Sequence, residues 1–303
     1  MIKDYRNILV PFNFTETSIN AANYAAQFAN EISGEVVLLN VFETPGMLFD
    51  FFSSGDELIK IINLTHAKLN EFVGPLQEKW PAVKFSIRVE RGKSYEKILE
   101  VAEAEPLRLI VLGENIETDE KKAKLGSTVY NVTLKSPVPV LTVKGSPSKL
   151  KNKILLPLDL TRDIEKQLNA AILYAKNYNA EIYLVSALIG GIEVKESRIY
   201  KKLKDAEKAL KANQIKTNIK LFEVSNVPPF MRVLQYSEEI GAGMIIILTH
   251  QEGYTYDNYI GAFAHHLISM SKIPVLSLTA SAVNFYFDHY LKNVVDPIGF
   301  LRK

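Results

Sequence analysis

Gly113 ends the apolar run Leu107 to Leu112, and thirteen residues later Gly126-Ser127-Thr128 opens a stretch with helical patterning. A glycine at a strand's carboxyl end lets a ligand approach the backbone. Free N–H groups at the next helix start, joined by serine and threonine hydroxyls, favour an anion. The chemistry offered is phosphate binding, although the same three residues also suit an ordinary N-cap with a tight turn. Lys121, Lys122 and Lys124 lie between the two glycines, where they either reach a phosphate or form a solvated face. No Ser-His-Asp or paired-carboxylate arrangement can be assembled from the spacing, so no catalytic residue is assigned. His265 and His266 are adjacent, which turns them to different helix faces, and His250 follows a strand. Five histidines so scattered assign no metal site.

These residues need elements to position them, and the chain supplies the elements twice. NILVPFNFTETSINAANYAAQFANEISGEVVLLNVFE from Asn7 is echoed by NKILLPLDLTRDIEKQLNAAILYAKNYNAEIYLVSAL from Asn152, with Pro11 over Pro157, Asn13 over Asp159 and Glu35 over Glu181 at an offset of 146. The echo resumes with LIVLG at Leu109 to Gly113 over IIILT at Ile245 to Thr249, and with Gly126 and Pro139 over Gly261 and Pro274. Self-similarity on this scale implies duplicated domains rather than a short-unit solenoid. Within each copy, short β-branched runs alternate with amphipathic helical patterns. The first copy has strands at Ile8 to Phe12, Val36 to Val41, Val83 to Val89, Leu107 to Leu112 and Val138 to Val143. Helices are expected from Thr15, as N-cap, to a stop at Gly34, then over Leu58 to Trp80, Ser94 to Ala104 and Ser127 to Lys135. The second copy has strands at Ile154 to Leu158, Glu181 to Ser186, Asn218 to Phe222, Met244 to Leu248 and Val275 to Leu278. Such alternation predicts an α/β fold of two tandem doubly wound, Rossmann-like domains, each with a five-stranded parallel sheet. The expected boundaries are 1–145 and 150–280, joined by Gly145-Ser146-Pro147-Ser148, with an aromatic tail over 281–303.

The 303 residues, 47% hydrophobic and 23% charged, are enough for two domains that each bury a core. A net charge of +2 does not point to nucleic acid. The absence of cysteine removes disulfides, thiolate catalysis and Cys-ligated metals. No apolar run reaches membrane-spanning length, and the first residues lack the apolar core of a signal peptide, so a cytoplasmic location is expected and no membrane partner. The basic stretch with Arg198, Lys201, Lys202, Lys204, Lys208 and Lys211 also holds Glu196, Asp205 and Glu207 and reads as a solvated helix.

The frame Gly113-x2-Ile116-x9-Gly126-Ser127 resembles the nucleotide motif of the universal stress protein family, with isoleucine at its second glycine. The first strand ILVPFNFTETS and the endings SPVPVLTV and SKIPVLSL are similar to that family too. The resemblance implies the adenine nucleotide alpha hydrolase-like version of the fold, a stress-response role, and a tandem form whose fifth strands pair within the chain, with homodimerisation open. It implies a nucleotide site in the first domain made of Pro11, Asn13, Thr15, Val41, Gly113, Gly126, Ser127 and Thr128, for ATP or another adenine nucleotide with Mg. In the family the position of Asn13 is typically an aspartate on the nucleoside end, and the position of Val41 lies against the base. A β-branched Ile116 is a steric penalty if positive φ is needed there. In the second copy Asp159 restores the aspartate, but Thr249, Glu252 and Ala262 replace the glycines and the hydroxyl, so no nucleotide is expected. The leading expectation is a non-enzymatic ligand-sensing or protein-interaction module with a degenerate site. The alternative is an ATP-binding protein, slowly hydrolysing.

Two segments exceed the family core. The loop Thr44 to Asp56, with Phe49, Phe51 and Phe52, and the tail Val283 to Lys303, with Phe285, Tyr286 and Phe287, are aromatic-rich. Each either packs on its own core or makes a dimer or partner contact.

Overall fold

A computed structural model describes residues 6–43, 55–147, 152–159, 164–187, 198–222, 225–249 and 260–279. The aromatics of the loop and of the tail, His250 and Glu252 lie outside the described residues. The chain divides into two compact units, residues 1–115 with 125–147, and residues 116–124 with 148–303. The segment between the two motif glycines thus groups with the second unit.

The first unit runs β1 (Asn7–Pro11), α1 (Glu16–Ile32), β2 (Glu35–Phe42), α2 (Gly55–Lys79), β3 (Lys84–Arg91), α3 (Ser94–Ala104), β4 (Leu107–Gly113), α4 (Ser127–Lys135) and β5 (Val140–Val143). Its strands lie in the order β3-β2-β1-β4-β5, every described pairing parallel. Strand order therefore reverses between β1 and β4, where open α/β sheets leave a crevice. The interior strands are buried because helices cover both faces of such sheets, hence their continuous Ile/Leu/Val runs. α1 lies close to the sheet because its inward face is Ala21, Ala22, Ala25, Ala26 and Ala29, each completely buried. β3 is the edge strand. It carries charge, and Arg88 pairs with Glu90 and Glu105.

The second unit repeats the plan with β6 (Lys153–Pro157), α5 (Glu165–Tyr178), β7 (Glu181–Ala187), α6 (Arg198–Ala212), β8 (Thr217–Phe222), α7 (Pro229–Glu239), β9 (Met244–Thr249), α8 (Ala262–Met270) and β10 (Val275–Thr279). Its order is β8-β7-β6-β9-β10, again parallel. α6 buries Leu203, Ala206 and Leu210 and pairs Lys204 and Lys211 with Glu207 on its outer side, a solvated amphipathic helix as its mixed charges predict.

Several boundaries differ from the sequence expectation by one to three residues, and two of them for identifiable reasons. α1 does not stop on Gly34: Ser33 takes the left-handed conformation, φ 51° and ψ 45°, with its N–H on the Ala29 carbonyl. Gly34 is needed because a Cβ there would lie 2.4 Å from the Arg6 carbonyl oxygen. The fifth strand of the first unit begins after the proline rather than at Val138, since Ser136 Oγ donates to Val138 O at 2.6 Å and accepts from Val138 N at 3.1 Å. Ser271 makes the same two bonds with Ile273 in the second unit, at 2.7 and 3.2 Å. That shared turn is the physical content of the S-x-x-P-V-L ending.

Candidate functional site

At the carboxyl ends of β1, β2 and β4 the first unit has a cleft of about 130 Å³. Pro11, Asn13, Val41, Gly113 and Thr128 line it, together with Thr17, Ser18, Ser94 and Ile98. Five of the eight residues selected from sequence are thus brought to one cleft, from four separate stretches of chain. Thr15, Gly126 and Ser127 flank it without lining it. Thr15 is the N-cap of α1 and accepts from Ser18 N. Its own hydroxyl donates to Asn13 Oδ1 at 2.6 Å. Asn13 therefore closes the loop between β1 and α1 while standing exposed at the cleft. Between them Phe14 holds φ 64° and remains 40% exposed, an unusual backbone for a bulky residue. The edge of its ring packs on Phe12, centroids 5.2 Å apart.

Gly113 has a packing role besides the one its position suggests. A Cβ there would lie 2.0 Å from the Thr17 carbonyl oxygen and 2.4 Å from its carbon. The first turn of α1 already occupies the space that a missing side chain leaves, so the glycine lets α1 reach β4. Gly126, at φ −56° and ψ 148°, is the N-cap of α4 and has an ordinary backbone. Its N–H donates 3.1 Å to Glu114 Oε2. Ile116 is 45% exposed and is not among the residues of positive φ, so isoleucine carries no backbone penalty there. It lines a separate cavity of about 250 Å³ inside the second unit, with Leu234, Met270 and Ile273. The neighbouring Glu117 N–H donates to Ser269 O at 3.1 Å. Lys121, Lys122 and Lys124 are exposed on this segment and do not line the cleft, and Lys122 pairs with Asp119.

In the second unit a buried amide bridges the two strands between which the order reverses. Gln167 of α5, which stands where the first unit has Ala21, is 3% exposed, and its amide donates to Pro157 O and Ile246 O at 2.8 Å each. These carbonyls belong to β6 and β9, the two strands between which the order reverses. Thr249, in the register of Gly113, donates its hydroxyl to Leu278 O at 3.2 Å. α8 starts at Ala262 after Gly261, without a first-turn hydroxyl. Asp159 is exposed. On α8, His265 is held below the usual imidazole range by burial and, after that, by the neighbouring His266, whose ring stacks on Phe230 at 4.3 Å. Among the described residues no three His, Cys, Asp or Glu are grouped to hold a metal, and no helix is long and apolar enough to cross a membrane.

Sequence reasoning missed four residues that hold these regions together. Buried Asn40 donates to Phe12 O at 2.7 Å, tying β2 to the cleft loop, and Ser186 does the same to Leu158 O at 3.1 Å in the second unit. Asn40 over Ser186 in the aligned repeats was the available signal, a polar residue within an apolar strand in both copies. Ala21 over Gln167 was a second. For Glu114 only its place beside Gly113 marked it.

Fold and cleft define a doubly wound domain whose cleft lies at the reversal of strand order. Residues 4–144 match the model of the universal stress protein family, which makes the first domain a domain of that family. Two universal stress proteins of Methanocaldococcus jannaschii are similar to it. One is 29% identical over 158 residues, 48% of this chain and 98% of the relative, and the other 27% over 141 residues, 46% and 82%. The crystal structure of a universal stress protein from Archaeoglobus fulgidus shares the fold over 90% of this chain and 98% of that one, with a TM-score of 0.74 at 20% identity.

Proposed function

We propose that this protein is a non-enzymatic ligand-sensing module of the stress response, and that its first domain takes an adenine nucleoside or nucleotide in the cleft beside Gly113. The observation that carries this reading is the convergence of Pro11, Asn13, Val41, Gly113 and Thr128 on one cleft. Asn13 presents an amide to a ribose hydroxyl, Val41 an apolar wall to a base, and the α4 start unsatisfied N–H groups to a phosphate. At about 130 Å³ the cleft is smaller than the roughly 300 Å³ of a typical small-molecule pocket, which suits partial enclosure of the base and sugar better than burial of a whole nucleotide. The second domain is proposed to bind none, since Thr249 stands in the register of Gly113, α8 starts without a first-turn hydroxyl, and Gln167 bridges β6 and β9 where the strand order reverses.

Calorimetric titration with adenosine and with ATP and Mg, after mass spectrometry for co-purified nucleotide, tests this. One ligand per chain is expected, together with its loss in Val41→Arg, whose side chain enters the cleft from a half-buried strand end. A stoichiometry near two overturns the asymmetry, and equal affinity in the variant places the ligand elsewhere.

A further inference from the structure

We propose that Glu114 is a built-in competitor for the anion position of the first domain, turning the cleft toward the nucleoside end of a ligand and against a polyphosphate chain. This rests on the reading of the cleft given above. Glu114 directly follows Gly113 at the end of β4 and is half-buried. Its Oε2 accepts the Gly126 N–H at 3.1 Å and its Oε1 the Asn115 N–H at 2.9 Å. One carboxylate is therefore held by two backbone donors, one beside it in the chain and the other the N-cap residue of α4, where helix geometry favours an anion.

The same arrangement recurs beside it. Glu43, after β2, accepts from Ser94 N at 3.0 Å and from Ser94 Oγ at 3.2 Å, and so occupies the start of α3, where the Lys93 side chain caps nothing. Ser94 lines the cleft with Thr128. α1 is capped by Thr15, itself bonded to Asn13. Three helix starts around the cleft are thus met by oxygens of the chain's own side chains, two of them carboxylates. Among the described residues no lysine or arginine lines the cleft to offset that charge.

The Ser127 and Thr128 N–H groups in the first turn of α4 still lack intrahelical acceptors. A phosphate that approached them would have to displace Glu114 or lie against its charge, in a cleft where like charges repel more strongly than in bulk water. Because the carboxylate is tethered one residue from the strand end, it competes as an intramolecular ligand, at an effective concentration on the order of millimolar. A neutral nucleoside meets neither cost.

The test is calorimetric titration of the full chain, as wild type, Glu114→Ala and Glu114→Gln, with adenosine and with ATP. The wild type should bind adenosine at least as tightly as ATP. Glu114→Ala should gain about tenfold or more for ATP, with adenosine unchanged within about twofold, because one charge-opposed position has been freed. Glu114→Gln keeps an oxygen for Gly126 N–H without the charge, so its gain should be smaller. ATP affinity equal to wild type in both variants, with adenosine bound throughout, overturns the competitor role and leaves the cleft reading standing. Failure of all three proteins to bind either ligand overturns the cleft reading and this one with it.

Discussion

The two motif glycines look alike in the sequence and should respond very differently to alanine. In Gly113→Ala the new Cβ meets backbone, 2.0 Å from Thr17 O and 2.4 Å from Thr17 C. Relief would require moving the first turn of α1, and α1 is anchored by five alanines with no exposed surface. Replacing glycine by alanine inside a strand would otherwise gain about 0.5 to 1 kcal/mol. Overpacking a filled site costs typically 1 to 3 kcal/mol, and contact with backbone places this case toward the upper end, so roughly 2 kcal/mol net is lost. In Gly126→Ala the Cβ meets only Glu114 Oε2, at 3.4 Å, the end of a flexible side chain, and the backbone is one any residue adopts. That change should stay within about 1 kcal/mol, the cost of alanine at an N-cap. Urea unfolding of the full chain, followed by circular dichroism, measures both as shifts in midpoint. A Gly113→Ala protein as stable as wild type, or a Gly126→Ala protein less stable than Gly113→Ala, would refute the assignment of Gly113 to packing.

Gln167→Ala should lose about 2 to 4 kcal/mol, because Pro157 O and Ile246 O are left buried without a donor beside a new cavity. Gln167→Glu should be worse at neutral pH, facing carboxylate oxygen to carbonyl oxygen, and unchanged unfolding midpoints in both would show that the amide does not bridge β6 and β9. His265 is held below its usual range by burial first and by His266 second. The unfolded chain then binds a proton that the folded one refuses, so this contribution to stability is present above about pH 6.5 and is lost as pH falls below that value. Thermal unfolding between about pH 5 and 7 should show the slope in wild type and a flatter profile in His265→Gln; equal slopes would remove His265 as its source.

The sequence by itself determined the architecture. Period and propensity are local properties, and duplication printed each of them twice, so α3 and α4 begin and end at the residues their patterns predict, Ser94–Ala104 and Ser127–Lys135. Five site residues meet in one cleft for a related reason: in a doubly wound sheet the carboxyl ends of the strands share one edge, so knowing the strands placed Pro11, Val41 and Gly113 together. What only the tertiary structure decided were the roles that depend on a distant partner. Gly113 reads as open backbone until α1 is packed onto β4 and Thr17 fills the space. Glu114 reads as a surface acid until the chain returns twelve residues later and offers the Gly126 N–H. Gln167 reads as a polar helix residue until α5 lies across β6 and β9, and Ile246, seventy-nine residues away, supplies the second carbonyl. Hydrogen bonds and van der Waals contacts act over a few ångströms of space whatever the separation along the chain, and that separation is what a linear reading does not see.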